Sequence, residues 1–313
     1  MTKKIIVRIG NGFGNQMFNY AAAYAFSKKF KYELLIDDES SHYSDLIKSR
    51  KKKYLHWFPK YELDIFKISS RIADNKYKFN SGLKIIFKKI LEMFNFFLSS
   101  KIFLFEKKDT KKISKYDKSL FDTKFSNLIF IEGYFETEKY FIEYKNDLLK
   151  EFEFKKTPTV NNKYLNDILN SNSVSIAVRR DRFSERYIDQ NDTVKLKKTE
   201  DFDNITYEYI FNAVKYFENK YSDCKFFLFS DDFKDLDKIF DPNKFCFINE
   251  NISNKSLEDF YLMRKCKNFI VGPTSYHWWA AWLSEDKNSI CTYPSKINPS
   301  NNLDFWPSKW ISI

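Results

Sequence analysis

The sequence predicts an α/β protein whose parallel sheets are covered by helices on both faces. Short apolar runs alternate with helical periods over most of the 313 residues, which is the pattern of strand-helix-strand units. Glycine turns or polar clusters directly follow several of these runs, as expected where parallel strands end at a ligand-binding edge. Six glycines and seven prolines are too few for a long flexible linker between domains.

Apolar runs and helical periods place the elements in order. The first half contains predicted strands at 4–9, 32–37 and 127–132 and predicted helices at 15–29 and 137–152. The second half contains predicted strands at 174–179, 225–230, 244–248, 268–271 and 288–292 and helices at 206–220, 233–240, 256–266 and 275–284. A Thr-Pro dipeptide at 157–158 predicts the domain boundary, so the expected domains are 1–156 and 157–313.

The composition indicates a folded cytoplasmic protein. Hydrophobic residues make up 43% and aromatic residues 19%, which excludes a disordered chain. The four cysteines are widely spaced without a C-x-x-C pair, as is typical of buried reduced thiols. The first apolar run has only the length of a strand, and no run of about 18 uncharged apolar residues follows, so neither a signal peptide nor a spanning helix is expected.

The first candidate site is the turn after the first strand. Glycines at Gly10, Gly12 and Gly14 lead from a β-branched run into an alanine-rich helical pattern. A helix that starts at such a turn presents unpaired backbone N–H groups, which suit an anion. The turn is therefore a candidate phosphate site.

Two other interpretations of this turn stay open. The dinucleotide fingerprint G-x-G-x-x-G needs its third glycine one residue later, although Asp37 and Asp38 lie where a ribose-binding acid is expected. A plain tight turn explains the glycines but not the polar residues Asn15 and Gln16 that open the helix.

Arginines follow the strand near 174–179. Arg179, Arg180 and Arg182 come directly after a buried apolar run. They fit a solvated turn, but guanidinium groups also bind phosphate oxygens in a bidentate manner and keep their charge. Their position at a strand end favours phosphate pairing.

Two adjacent aspartates, Asp231 and Asp232, follow the strand near 225–230. Neighbouring side chains diverge from an extended backbone, so a divalent metal site is the least favoured of three uses. Capping of the next helix and recognition of the ring nitrogens of guanine rank above it. The three histidines form no cluster with metal-ligand spacing, so no metal is expected.

A second helix N-terminus follows the strand near 268–271. Thr274 and Ser275 stand at the start of this helix, where a hydroxyl caps the backbone and an anion is favoured. The tryptophans Trp278, Trp279 and Trp282 have helical spacing and indicate core packing.

The basic charge concentrates in a segment inserted at 45–124, which holds 21 Lys or Arg against 9 Asp or Glu. No nucleic-acid-binding motif accompanies it, so nucleic acid is not an expected partner. Within it, residues 83–98 read as a helix with one narrow polar face and a wide apolar face. Two interpretations stay open: a basic amphipathic helix on an anionic membrane surface, or an ordinary core helix.

Five motifs together resemble glycosyltransferase family eleven, the bacterial α-1,2-fucosyltransferases. They occur in the order GNGFGNQMF (10–18), EGYFE (132–136), VRRD (178–181), FSDD (229–232) and TSYHWWAAWL (274–283). The resemblance implies a GT-B fold, with two facing Rossmann-like domains and the donor in the cleft between them. It also implies inverting, metal-independent transfer of L-fucose from GDP-fucose to a surface glycan such as lipopolysaccharide, O-antigen or capsule, without a cofactor.

The resemblance also implies roles for individual residues. Arg179, supported by Arg180, would bind the donor diphosphate and stabilise the departing GDP. Asp231 would recognise guanine. The remaining donor contacts would come from Gly12, Gly14, Asn15, Thr274 and Ser275.

Three positions depart from the family pattern. Ala177 replaces a usual histidine, Asp181 and Arg182 replace a usual Gly-Asp pair, and Glu136 replaces a glutamine. Asp181 and Glu136 are the candidate catalytic bases, since a carboxylate in a dry site can deprotonate a hydroxyl. The departures leave two alternatives: another GDP-activated deoxysugar or heptose as donor, or a non-catalytic protein that binds a nucleotide or polyanion.

Overall fold

The computed structural model divides the chain into two units. One is formed by Met1–Lys156 with Ser300–Pro307, and the other by Thr157–Pro299 with Ser308–Ile313. The predicted domain division did not include the return of Ser300–Pro307 to the first unit. The structure describes residues 2–41, 60–109, 113–180, 193–252, 255–284, 286, 288–300 and 302–313, with backbone alone for 193–201.

The returning segment is held by contacts far apart in sequence. Phe305 is buried and its ring lies 6.1 Å from that of Phe18. Asp304 pairs with the Lys139 ammonium at 2.5 Å and accepts a hydrogen bond from the Tyr116 backbone N–H at 2.8 Å. Contacts of this range leave no local signal, so the sequence could not predict the return.

The sheet of the first unit has the strand order β3-β2-β1-β5-β4, with all pairs parallel. Its strands are β1 (Lys4–Arg8), β2 (Glu33–Asp37), β3 (Arg71–Ile72), β4 (Lys101–Phe105) and β5 (Phe125–Glu132). The central strand β1 is apolar and buried through its middle three residues, as expected of a parallel strand covered on both faces. The three strands predicted in this half are confirmed, while β3 and β4 lie inside the basic segment and were not predicted.

The helices of the first unit are α1 (Phe13–Phe30), α2 (Gly82–Asn95) and α3 (Lys145–Glu151). The predicted helix at 15–29 is confirmed as α1, which is buried over most of its length. The predicted helix at 137–152 is wrong in its first half, where two 3₁₀ turns precede α3. Phe141 separates those turns with a φ of −136° and a ψ of 3°, which lie outside the helical range and interrupt a continuous helix.

The sheet of the second unit has the order β11-β10-β9-β6-β7-β8 and is also parallel. Its strands are β6 (Asn172–Val178), β7 (Cys224–Ser230), β8 (Phe245–Phe247), β9 (Asn268–Ile270), β10 (Cys291–Tyr293) and β11 (Ile311–Ser312). Its helices are α4 (Asn162–Leu169), α5 (Thr193–Lys220), α6 (Lys255–Lys265) and α7 (Ser275–Trp282).

The regular alternation predicted for this half is therefore confirmed, with one exception. The expected helix at 233–240 is only a 3₁₀ turn, Leu236–Lys238. It follows Asp235, whose φ of 58° lies in the left-handed region, a conformation that L-residues do not continue into a regular helix.

The core of the second unit forms between α5 and the sheet. Buried side chains of α5, including Ile210, Val214 and Phe217, pack with those of β6 and β7, such as Ile176 and Leu228. The tryptophans of α7 are also buried, which confirms their core assignment. All four cysteines are reduced thiols, two buried and two half-buried.

Helix α2 turns its apolar face outward, which is the opposite of what a core helix does. Its buried residue is Lys88, while apolar side chains such as Leu83 and Met93 are 82% and 73% exposed. The interpretation of this helix as ordinary core is therefore wrong. Within the described ranges, no helix combines the length and apolar character needed to cross a bilayer.

Candidate functional site

Three of the sequence motifs meet at one edge of the second sheet. From β6 the chain proceeds outward to β7 and β8, and then returns to β9 on the opposite side of β6. The strand order therefore reverses between β6 and β9, and ligands of open parallel sheets bind outside the carboxyl ends at such a switch point. Arg179 follows β6, Ser275 begins the helix after β9, and Asp231 follows the neighbouring strand β7.

Arg179 and Arg180 lie against the aspartates after β7, because Val178 pairs with Ser230 in the β6–β7 register. The backbone N–H of Arg180 donates to Asp231 at 3.0 Å. The guanidinium of Arg179 lies 3.8 Å from Asp231 and that of Arg180 lies 3.9 Å from Asp232. These ion pairs are long and partly exposed, so each stabilises the fold by less than about 1 kcal/mol.

The aspartates also satisfy backbone groups of their own turn. Asp232 accepts a hydrogen bond from the Lys234 backbone N–H at 2.9 Å, and the Arg180 guanidinium donates to the Lys234 carbonyl. Capping of the next helix, one of the three predicted uses of the pair, is not observed: the 3₁₀ turn that follows has Asp235 as its N-cap without a side-chain hydrogen bond, and Asp231 accepts from Arg180, which follows β6. Among the residues whose positions are described, no group of three His, Cys, Asp or Glu side chains could hold a metal ion.

The turn between β9 and α7 is held in a defined geometry. Thr274 is the N-cap of α7, and its hydroxyl oxygen accepts a hydrogen bond from the His277 backbone N–H at 3.1 Å. A side chain at Gly272 would approach the Ala177 carbonyl oxygen to 2.3 Å, so only glycine lets this turn pack on β6. Ser275 is half-buried at the first position of the helix, where backbone N–H groups suit an anion.

His277 ties this turn to the centre of the sheet, a role that sequence reasoning missed. Its Nδ1 accepts a hydrogen bond from the Gly272 backbone N–H at 2.9 Å, and its Nε2 lies 3.0 Å from the Ser175 hydroxyl. Because Nδ1 accepts, the ring proton must be on Nε2 and is donated to Ser175. Complete burial lowers the pKa of His277 to about 3, so the ring is neutral. An isolated histidine in an apolar helix gives no sequence signal for such a role.

A second switch point lies in the first unit, between β1 and β5. The chain passes from β1 through β2 to β3 on one side, and then places β4 and β5 on the other. The glycine turn follows β1 and the motif EGYFE begins with the last residue of β5. All five motifs therefore lie at the carboxyl ends of strands: four follow strands beside a switch point of their own sheet, and FSDD follows β7, the neighbour of β6.

The glycine turn opens α1 with its backbone N–H groups presented. Gly12 is the N-cap and makes no side-chain hydrogen bond, and the first turn contains no acidic residue. Gly14 is buried and Asn15 is half-buried. The turn itself is tight, because a side chain at Gly10 would meet the Ser41 hydroxyl at 2.0 Å.

Buried amides on α1 explain the polar start of this helix. The amide of Gln16 donates to the carbonyl oxygens of Asn11 at 2.9 Å and Lys60 at 2.7 Å. Asn19 accepts from the Gly10 backbone N–H at 3.2 Å and donates to the Gly133 carbonyl at 2.7 Å. No role was predicted for Gln16 or for Asn19, which joins the glycine turn to the segment after β5.

Two aspartates considered for a dinucleotide ribose have structural partners. Asp37 is buried and accepts hydrogen bonds from the backbone N–H groups of Glu39 and Ser40, at 3.2 and 3.0 Å. Burial raises the pKa of Asp37. Asp38 pairs with the Lys78 ammonium at 2.6 Å. These contacts account for both residues without a ribose.

Glu136 directly follows a residue with a constrained backbone. Phe135 is buried with a φ of 50°, a left-handed conformation unusual for a bulky residue. Such strain is common where a side chain must be aimed. Glu136 is half-buried and accepts a hydrogen bond from the Ser300 hydroxyl of the returning segment. The other candidate base, Asp181, lies outside the described residues.

The comparison with protein families decides the class. The model of glycosyl transferase family 11 matches residues 2–302. The chain belongs to glycosyltransferase family 11. It is therefore a glycosyltransferase, as the five motifs predicted.

Relatives are similar over nearly their whole length. An α-1,2-colitosyltransferase of Escherichia coli is 27% identical over 320 residues, covering 99% of this chain and 98% of that protein. The O-antigen biosynthesis glycosyltransferase WbnK of Escherichia coli is 27% identical over 323 residues, covering 97% and 99%.

Solved structures support the fold. A variant of Arabidopsis thaliana FUT1, solved in complex with GDP, is 11% identical with a TM-score of 0.51 and covers 96% of this chain and 71% of that one. At this identity the likeness concerns the fold alone. Together with the two parallel α/β sheets, it agrees with the expected GT-B class.

Proposed function

We propose that the protein is an inverting glycosyltransferase that moves L-fucose from GDP-fucose to a hydroxyl of a surface glycan of the lipopolysaccharide, O-antigen or capsule type. The observation that carries this proposal is the switch point of the second sheet. There two arginines, a pair of aspartates and a helix N-terminus stand at the ends of three neighbouring strands. Cations and backbone dipoles at one edge suit a nucleoside diphosphate.

The reaction needs a group that accepts negative charge as GDP departs. We assign this role to Arg179, whose guanidinium pairs with Asp231 only at 3.8 Å and can exchange that partner for phosphate oxygens. Arg180 supports it, and Thr274 and Ser275 bind phosphate or ribose at the start of α7. A fixed cation next to the leaving group stabilises the charge that develops in the transition state.

Asp231 is assigned to the guanine base. Its carboxylate is held at the end of β7 by the Arg180 backbone N–H, so its orientation is defined before the nucleotide binds. A carboxylate is an acceptor-only group, which matches the adjacent N–H donors on the guanine ring edge and does not match adenine.

The first unit supplies the remaining groups. We assign Gly12, Gly14 and Asn15 to the phosphates and sugar of the donor, because α1 begins there without a side-chain cap. Glu136 and Asp181 are the candidate bases that take the proton from the acceptor hydroxyl. A half-buried carboxylate suits general-base catalysis near neutral pH.

A second donor is favoured by one observation. A relative that covers almost the whole chain is named as an α-1,2-colitosyltransferase. Colitose lacks the 3-hydroxyl group of fucose, so a site that hydrogen-bonds this hydroxyl would reject colitose strongly. Because that relative is named for the transfer of colitose, GDP-colitose is the alternative donor.

The reduced thiols and the relative WbnK support a cytoplasmic enzyme of O-antigen assembly.

The test is GDP release, measured with GDP-fucose, GDP-colitose and GDP-mannose, with binding of GDP alone followed by saturation-transfer NMR. We expect release with a deoxysugar donor and a loss of about a hundredfold or more in Arg179→Ala. Arg71→Ala is the matched control, because Arg71 is exposed in the first unit and pairs with Glu33 at 3.2 Å.

Two results would contradict the proposal. If Arg179→Ala kept more than half of the wild-type rate, the diphosphate assignment would be wrong. If GDP bound but none of the three donors reacted with any glycan acceptor, the non-catalytic alternative would be preferred.

A further inference from the structure

Helix α2 packs on the first sheet through the face that carries Lys88 and Asn95, where Leu91 also contacts the core of the unit. Asn95 donates to the Phe103 carbonyl at 3.1 Å and accepts from the backbone N–H groups of Ile102 and Phe103, at 2.8 and 2.9 Å. The Lys101 ammonium donates to three carbonyls at the C-terminal end of the helix, including that of Asn95 at 3.0 Å. These contacts fix both the position of α2 and its rotation about its axis.

A buried ion cluster holds the same face. The Lys88 ammonium lies 2.6 Å from the Glu132 carboxylate and 3.2 Å from that of Glu92. Glu132 also pairs with the guanidinium of Arg8 at 3.0 Å. Lys88 and Glu132 are each only 9% exposed. Rotating the apolar face of α2 inward would remove Lys88, one of the two cations that pair with the buried Glu132, which is unfavourable.

The opposite face of α2 therefore presents apolar side chains outward. Residues spaced three and four apart along this face are between 45% and 82% exposed, and two phenylalanines that follow the helix are each 81% exposed. The set comprises Leu83, Ile86, Phe87, Ile90, Met93, Phe94, Phe96 and Phe97. We call it the α2 apolar face. Contiguous exposed apolar surface of this kind marks an interaction site.

We infer that the α2 apolar face inserts into the interfacial region of an anionic membrane. A helix with one apolar face and flanking lysines lies in the plane of the interface, with its apolar side among the acyl chains. Here the protein itself covers the polar face, so α2 lies between the sheet and the lipid. The binding follows from α2 alone and does not rest on the proposed transfer reaction.

Charge favours lipid over a second copy of the chain as the occupant. Helix α2 carries three lysines and one glutamate, and the glutamate is already paired with Lys88. Lys89 is exposed beside the apolar face. Two copies meeting through this face would bring like charges together, whereas anionic headgroups attract each nearby lysine.

The location of α2 gives the contact a use. Its ion partner Glu132 is the last residue of β5, and Arg8, which pairs with Glu132, is the last residue of β1. The glycine turn and the EGYFE motif extend from these strand ends. A membrane bound at α2 would therefore lie on the same unit as Glu136, the candidate base for the acceptor hydroxyl, as a lipid-linked glycan acceptor requires.

The test is co-sedimentation with vesicles of phosphatidylglycerol and phosphatidylcholine in equal parts, against vesicles of phosphatidylcholine alone. We expect binding to the anionic vesicles that weakens with salt, because the screening length falls to about 10 Å at 0.1 M. The double variant Phe87→Ser/Phe94→Ser should reduce the partition coefficient by about tenfold or more, since both rings leave the acyl region. Lys89→Glu should reduce it on anionic vesicles only.

The matched control is Leu169→Ser/Ile252→Ser, which removes two apolar side chains that are 50% and 60% exposed in the second unit. It should sediment like the wild type, and circular dichroism should show both variants folded. The inference is overturned by no sedimentation with anionic vesicles at low salt, or by undiminished binding of the Phe87/Phe94 variant. It is also overturned if the wild type is a dimer in light scattering and that variant a monomer, because a second copy then covers the face.

Discussion

Acid should weaken the second unit through His277, and the size of the effect follows from its burial. An ordinary histidine has a pKa of 6.5, whereas burial lowers the pKa of His277 to about 3. Below pH 6.5 the His277 ring binds a proton in the unfolded chain but stays neutral in the folded chain. The stability contributed by the neutral ring is therefore complete above pH 6.5 and is lost progressively as the pH falls towards 3.

The magnitude can be worked from these two pKa values. Each pH unit in this interval costs about 1.4 kcal/mol of stability. Between pH 7 and pH 5 the loss due to His277 is about 2 kcal/mol. Asp259 acts in the opposite direction, because burial raises its pKa from 3.8 to about 6 and the folded chain then holds a proton that the unfolded chain releases. The wild-type slope alone is therefore a sum, and a comparison is needed.

The comparison is with His277→Asn, which is neutral at every pH and can still accept the Gly272 N–H. Urea unfolding at pH 7 and pH 5, followed by the fluorescence of the buried tryptophans on α7, reports on this unit. We expect the variant to be less stable at pH 7 and the gap to the wild type to narrow by about 2 kcal/mol at pH 5. A gap that stayed constant would mean that His277 titrates normally in the folded chain, and the argument from burial would fail.

Three other outcomes are expected. EDTA should leave the transferase rate unchanged, because we assign the role that a divalent metal has elsewhere to arginines and a helix N-terminus. If EDTA abolished the rate and Mn²⁺ restored it, the aspartates after β7 would be reassigned to a metal site. Glu136→Gln or Asp181→Asn should lower the turnover number more than donor binding, and normal rates in both would remove the carboxylate-base assignment. Lys88→Met should lower the free energy of unfolding of the first unit by up to about 3 kcal/mol, because it removes one of the two cations that pair with the buried Glu132, whereas the double variant Lys88→Met/Glu132→Gln should recover part of this loss in denaturant titrations.

Local patterns determined the class of this protein. Buried β-branched runs and helical periods predict individual strands and helices, so most of the strands and the helices α1, α6 and α7 follow from the sequence. The motifs could also be placed at strand ends before their geometry was known, since carboxyl ends of parallel strands share an edge. Local patterns do not predict the backbone conformation of a single residue. At Asp235, a left-handed conformation ends a predicted helix.

The tertiary structure alone decided which chain segments the polar side chains join. Gln16, Asn19 and His277 have structural roles, because their hydrogen-bond partners come from distant strands and loops. No spacing of residues in the sequence predicts those partners. The orientation of α2 is the clearest case. Its amphipathic pattern is compatible with either face turned inward, and the choice depends on Glu132, more than forty residues away. Turning the other face inward would remove one of the two cations that pair with this buried carboxylate, and loss of a partner from a buried ion cluster is strongly destabilising.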